Sequence, residues 1–192
     1  MRMTPILRTE RLVLRPPQAS DAEDIVKNLD DFDVAGNLAR VPFPYRLADA
    51  QAWLMTRRHI KGADQANFAI LHEGAYMGQV GFHPGPKGPI IGYWLGKPFW
   101  GKGFMSEAAY VALDWFFGAS GMTKIHSGVF VFNHASLAVQ NKLGFTEIGR
   151  STLRCLAREA EVEHIDTELT RERFRSRSLH SAVVWHREDT NS

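Results

Sequence analysis

The chain has 192 residues, a formal net charge of +2, 44% hydrophobic and 23% charged residues, and one cysteine. That balance describes a folded globular protein long enough to bury a core, and it argues against a disordered chain, a polyanion binder, an internal disulfide or a cysteine-based zinc site. The N-terminus lacks the apolar centre of a signal peptide and no apolar run approaches a membrane span, so a cytoplasmic location is expected, with neither nucleic acid nor membrane as a partner.

Arg11-Leu12-Val13-Leu14-Arg15 reads as a first strand, stopped by Pro16-Pro17. Ser20-Asp21-Ala22-Glu23 has the spacing of a capping box and predicts a helix to about Leu29. Residues 30–45 mix acids with Gly36, Pro42 and Pro44 and read as an irregular connection with a short helical turn, placed to line a substrate opening. A second helix is expected over 48–61, ended by Gly62. Residues 67–72 and 76–82, joined at Glu73-Gly74, read as a β-hairpin, and Pro84 to Pro89 as a rigid turn into a third antiparallel strand over Ile90 to Leu95.

That strand runs into Lys97-Pro98-Phe99-Trp100-Gly101-Lys102-Gly103 and then a helix to about Phe117. Glycines at a strand-to-helix junction let backbone lie close to a ligand, and the first N–H groups of the helix, with the positive end of its dipole, face outward. This is an anion site suited to phosphate, to which Lys102 adds a point charge; the competing reading is a plain turn with a solvated lysine. Gly118 to Gly121 reads as a break. A strand follows over 124–131, a helix from Asn133-His134-Ala135-Ser136 to Leu143 with Gly144 after its end, and paired strands over 145–153 and 161–169. The order is β-α-α-β-β-β-α-β-α-β-β, an α/β (α+β) pattern around one sheet in a single domain over 1–170, with 171–192 as a loosely held tail carrying an apolar patch at Val183-Val184-Trp185.

Four stretches, Leu7 to Arg15, Gly92-Tyr93-Trp94-Leu95 with Trp100-Gly101-Lys102-Gly103, Asn133 to Ser136, and Leu143-Gly144-Phe145, together resemble the GNAT superfamily of N-acetyltransferases, in its ribosomal-protein (RimJ/RimL-like) branch. The resemblance implies a central mixed, mostly antiparallel sheet flanked by helices and splayed between the fourth and fifth strands. It implies acetyl-coenzyme A as donor and a primary amine as acceptor, a protein or peptide N-terminal α-amine in this branch. Small-molecule amines and a non-catalytic acyl-coenzyme A sensor are the alternatives, and a homodimer is compatible with each. In such proteins the diphosphate rests on loop amides, here Trp100, Gly101, Lys102, Gly103, Phe104 and Met105. Pantetheine lies along main-chain groups of Trp94 and Leu95, and a backbone N–H near Leu95 polarises the thioester carbonyl. Asn133 matches the position that contacts pantetheine, and Ser136 the one proposed to protonate the departing thiolate. Each also reads as a helix-entry residue satisfying backbone donors. The chain departs from the family pattern by Trp100 and Met105, where Gln or Arg and Gly or Ala are usual. It also lacks an acid near Cys155, where the branch places a general base.

An ammonium must lose a proton before it attacks, so His83, His126, His134, Glu147 and Glu159 are candidate bases by residue type, each with an alternative reading as a structural or surface residue. Cys155 reads either as an acyl-accepting nucleophile or as a small buried residue, the latter favouring direct attack. Asp30, Asp31 and Asp33 read either as a lure for a cationic amine or as a solvated loop. No histidine–carboxylate spacing suggests a metal.

Overall fold

A computed structural model describes residues 4–57, 62–178 and 186–188. Its strands are β1 (Ile6–Arg8), β2 (Val13–Arg15), β3 (Asn67–His72), β4 (Ala75–His83), β5 (Ile90–Leu95), β6 (Lys124–Phe130), β7 (Thr146–Cys155), β8 (Ala160–Thr170) and β9 (His186–Glu188). The helices are α1 (Ala22–Leu29), α2 (Phe32–Ala35), α3 (Leu47–Thr56), α4 (Phe104–Ser120), α5 (His134–Leu143) and α6 (Arg171–Ser178). All nine strands form one sheet in the order β7-β8-β6-β5-β4-β3-β2-β1-β9. Every pairing is antiparallel except that of β5 with β6.

Successive residues of a strand face opposite sides, and β3 shows how the sheet uses both. Phe68 and Ile70 pack with Phe82, Ile91, Leu113 and Phe116 under α4, whereas Ala69 joins Ile25, Leu29, Leu54 and Tyr76 under α1 and α3. The β3–β4 turn forms at Glu73 and Gly74, both at positive φ (51° and 81°), the two-residue geometry that matches strand twist.

Five features differ from the sequence expectation. The first strand is a hairpin: Leu7 lies opposite Leu14, both fully buried, and the Thr9 hydroxyl accepts the Leu12 N–H at 2.9 Å to close the turn. The residue that reaches back at the entry to α1 is Asp21 rather than Glu23. It is buried, pairs with Arg15 and accepts the Gln18 N–H at 2.8 Å, so the chain enters through a 3-10 turn over Ala19–Asp21. Helix α3 stops at Thr56, and the remainder of the expected helix at 58–61 lies outside the described residues. Helix α4 runs through Gly118 to Ser120 and ends on Gly121, which adopts the left-handed conformation (φ 67°) of a helix terminator.

The fifth difference is the tail. Residues 171–178 form α6, whose Phe174 is 2% exposed, with its ring centroid 5.1 Å from that of Tyr110 and 5.6 Å from that of Phe117 on α4. Arg177 donates to the carbonyls of Asn141 and Lys142 at the end of α5, satisfying acceptors that a helix end leaves open. Farther on, β9 pairs with β1 at the sheet edge. The patch at 183–185 lies outside the described residues.

Candidate active site

The parallel pairing of β5 with β6 is confined to Ile90 opposite His126. One further bond, from the Ser127 hydroxyl to the Ile91 carbonyl at 3.0 Å, joins the two before they part. The gap therefore opens toward Leu95 on one side and Phe130 on the other. The early N-terminal hairpin makes these the fifth and sixth strands rather than the fourth and fifth.

At the open end of β5, the Gly96 N–H donates to the Met77 carbonyl on β4 at 2.8 Å. Antiparallel alternation then turns the N–H and C=O of Leu95 away from β4, toward the gap. The Leu95 carbonyl is already occupied, accepting the Trp100 indole N–H at 2.8 Å. Trp100, a departure from the family pattern, thus ties the loop to the strand it leaves. Trp94 lies opposite Gln79 and packs on the α1–α3 side near Tyr76.

After a 3-10 turn over Lys97–Phe99, the Trp100 N–H returns to the Lys97 carbonyl at 3.2 Å, so Trp100 has no amide to offer a ligand. Gly101 (φ 74°) and Gly103 (φ 78°) take left-handed conformations that turn the chain into α4. The first intrahelical acceptor is the Gly103 carbonyl, which receives the Glu107 N–H, so the amides of Phe104, Met105 and Ser106 have none within the helix. The side chains of Phe104 and Met105 are buried in the core beneath. The bulk of Met105 therefore points away from the loop, and a row of backbone donors without intrahelical acceptors remains at the positive end of a 17-residue helix. This is a fit for a diphosphate. The Lys102 ammonium lies 3.1 Å from the Pro98 carbonyl within the same loop. Arg11 ties the N-terminal hairpin to the junction, paired with Glu107 at 2.6 Å, donating to the Lys102 carbonyl at 3.2 Å and stacked 4.7 Å from the Phe104 ring.

Across the gap, Asn133 caps α5 by accepting the Ser136 N–H at 3.0 Å. The Ser136 hydroxyl donates to the Tyr93 oxygen at 3.1 Å, and Tyr93 donates to the Ser136 carbonyl at 3.3 Å. Burial pushes the Tyr93 phenol up to about 12, against the opposing pull of hydrogen bonds with Ser136 and Gln140, so it stays protonated at neutral pH. Gln140 extends the network to Ser127 on β6 and Thr167 on β8, at 3.0 and 2.7 Å. The sequence reading did not single out Tyr93, although it stands two residues before Leu95 with its aromatic body turned into the core.

The candidate bases scatter. Burial, and then the charges of Arg40 and Arg57, hold His83 below the usual histidine range. His126 is buried with Nε2 3.0 Å from the Lys87 carbonyl. His134 and Glu159 are exposed, and Glu147 is exposed and pairs with Arg150. Asp31 caps α2, Asp30 accepts the Tyr45 N–H, and Asp33 pairs with Lys97, so each of the three acids has a structural partner. Cys155 is fully buried, its Sγ 3.7 Å from the Gly36 carbonyl and 3.6 Å from that of Leu38.

A family profile described as "Acetyltransferase (GNAT) domain" matches residues 11–146. The SPbeta prophage-derived uncharacterized N-acetyltransferase YokL of Bacillus subtilis (strain 168) is 28% identical over 169 residues, covering 86% of this chain and 93% of its own. Among solved structures, Mycobacterium smegmatis RimJ in complex with CoA-disulfide superposes with a TM-score of 0.73 at 22% identity, over 93% of this chain and 97% of that one. The ribosomal-protein-S5-alanine acetyltransferase of Vibrio fischeri gives 0.73 at 21%, over 89% and 99%. These two share the fold. With the profile spanning most of the chain and a split sheet whose opening ends at a glycine-turned helix start, the chain belongs to the GNAT family of acetyltransferases and is an acyltransferase.

Proposed function

We propose that this protein transfers the acetyl group of acetyl-coenzyme A to the α-amine of a protein or peptide N-terminus, by direct attack in a ternary complex. The observation that carries the proposal is the row of backbone donors without an intrahelical acceptor at Phe104, Met105 and Ser106, following the glycine loop at the mouth of the gap between β5 and β6. When bound, acetyl-coenzyme A supplies an activated acyl carbon and a thiolate leaving group. The loop amides hold its diphosphate, and Lys102 adds charge beside them. Asn133 contacts the pantetheine arm, which runs along β5 past Trp94.

The Leu95 N–H, aimed into the gap, donates to the thioester carbonyl oxygen as negative charge grows there. Ser136 gives its proton to the departing sulfur, and the protonated Tyr93 holds its hydroxyl in place. Burial of Cys155 against two carbonyls favours direct transfer over an acyl-enzyme. The peptide acceptor rests on the branch resemblance and on the ribosomal-protein acetyltransferase among the structural relatives.

The test is a screen of acceptors read by free thiol, with short peptides of varied N-termini beside a polyamine, an aminoglycoside and free amino acids. Turnover led by peptides supports the proposal, and turnover confined to the small amines moves the acceptor to that class. Tight donor binding with no thiol release from any amine would overturn acetyl transfer.

A further inference from the structure

The reaction needs a proton acceptor, and the strongest arrangement for one lies on β8, outside the candidates considered above. His164 stands opposite Phe130 on β6 and Ser151 on β7. Its Nδ1 is 2.8 Å from Asp166 Oδ1, which also accepts the Ser151 hydroxyl at 2.8 Å. An ionised carboxylate only accepts, so Nδ1 carries the proton of the neutral ring and Nε2 carries the lone pair.

The ring lies over Gly128 of β6. A Cβ added to Gly128 would meet His164 Cε1 at 2.0 Å and Nε2 at 2.7 Å. Gly128 is not among the glycines at positive φ, so what its missing side chain provides is room for the imidazole. Nε2 thereby reaches from β8 over the strand that borders the gap, and among the described residues it has no hydrogen-bond partner. Ser127 and Thr167, of opposite parity, bond Gln140 of α5, so His164 faces the other side of the sheet, the side of α1–α3. The charged and titratable groups on that face include Asp166 and Glu168 of β8, His126 and Lys124 of β6, and Arg158, which bonds the Gly36 carbonyl and lies 4.2 Å over the Phe132 ring beside Phe130, while β7 sets the uncharged Ser151 opposite the imidazole.

We propose that His164, oriented by Asp166 as its positioning residue, is the base that accepts a proton from the incoming amine; this rests on the acetyl-transfer reading above. An N–H bond of the ammonium breaks, its electron pair stays on nitrogen, and the proton passes to Nε2, giving an imidazolium against the Asp166 carboxylate. The nitrogen pair forms the C–N bond as the C–S bond breaks with its pair on sulfur. Ser136 gives its proton to the sulfur, and the second proton lost from the same nitrogen returns to the Ser136 oxygen, leaving an amide, a free thiol, a neutral serine and one proton on the imidazole.

Two measurements on the full chain test this. The first is carbethoxylation of His164 by diethyl pyrocarbonate, read by peptide mass spectrometry with and without acetyl-coenzyme A. Protection by the donor is expected, and equal modification in both samples overturns the placement of His164 at the gap. The second is thiol release against pH with a free-α-amine peptide as probe, for wild type, His164→Gln and Asp166→Asn. Wild type should show a limb that rises with pH as the base loses its proton. His164→Gln should lose that limb and roughly 100- to 10,000-fold in rate at unchanged acetyl-coenzyme A affinity, and Asp166→Asn should fall between the two. A His164→Gln enzyme that keeps the limb overturns the proposal. Wild type without turnover on any amine would instead sink acetyl transfer, and the protection experiment would still decide where His164 sits.

Discussion

Tyr93 on β5 and Ser136 on α5 hold each other across the gap, with the serine hydroxyl donating to the phenol oxygen at 3.1 Å and the phenol donating to the serine carbonyl at 3.3 Å. The pair joins the strand that leads to the glycine loop to the helix on the far side of the opening. Any change at one residue is therefore felt by the other.

Ser136→Ala should slow single-turnover acetyl transfer by roughly 100- to 10,000-fold while leaving the affinity for acetyl-coenzyme A within about twofold, because a positioned proton donor acts on the chemical step. Tyr93→Phe keeps the ring but strips a buried partner from Ser136, at a cost of about 1–3 kcal/mol in stability. Its rate should fall less than that of Ser136→Ala. Stopped-flow thiol release and calorimetric melting check both, and an unaffected single-turnover rate in Ser136→Ala would remove its acid role.

Gly103 precedes α4 at φ 78°, where a branched side chain is strained by about 1–2 kcal/mol. Gly103→Val should weaken acetyl-coenzyme A binding by roughly 5- to 30-fold, since relief of the strain moves the amides that hold the diphosphate. Gly118→Ala, at an exposed helical site with nothing within 4 Å of an added Cβ, should leave affinity alone and add about 0.5–1 kcal/mol of stability. Titration calorimetry distinguishes the two, and unchanged affinity in Gly103→Val would contradict the diphosphate assignment.

Cys155→Ala should retain acetyl transfer, and initial rates should show the intersecting pattern of a ternary complex. The thiol is fully buried against two carbonyls of the α2 connection, so what the variant loses is packing, about 1 kcal/mol. Parallel initial-rate lines, or an acetylated Cys155 trapped by mass spectrometry, would mean a covalent intermediate.

His83 ties stability to pH. An unfolded histidine titrates near about 6.5, and in the folded chain burial and the charges of Arg40 and Arg57 hold His83 lower. Between the two values the unfolded chain binds more protons. This contribution is therefore complete above the unfolded value and is lost as pH falls through the folded one. The melting temperature should drop between about pH 7 and 5, and the drop should be shallower in His83→Gln. Parallel curves for the two proteins would contradict the burial argument.

The elements that could be read from the chain are those whose local signals agree. The β3–β4 hairpin has strong strand residues on either side of Glu73-Gly74, and α4 begins where glycines and an apolar helix meet. The hairpin of β1 and β2 escaped because three-residue strands are too short to show alternation, and their pairing depends on Leu7 meeting Leu14. Leu95, the glycine loop, Asn133 and Ser136 were legible as a motif, whereas Tyr93 owes its place to a partner 43 residues away. His164 and Asp166, two apart in a strand, share a face by period alone. Their relation to Gly128 and Ser151 exists only once β6, β7 and β8 are side by side.

Residues 171–178 lack an apolar stripe, and Phe174 is the side chain of their helix that enters the core. Phe174 is 2% exposed among Tyr110, Phe117 and the rest of the core under α4, while Arg177 holds the last carbonyls of α5. Removing a buried phenylalanine ring costs about 3–5 kcal/mol through lost transfer energy and the cavity left behind. Phe174→Ala should therefore lower the melting temperature by roughly 6–20 °C at about 2–4 °C per kcal/mol for a chain of this size. Arg177→Ala should cost far less, about 1 kcal/mol, because the carbonyls it releases can turn to water. A Phe174→Ala protein that melts within a degree of wild type would mean that α6 contributes nothing to the core.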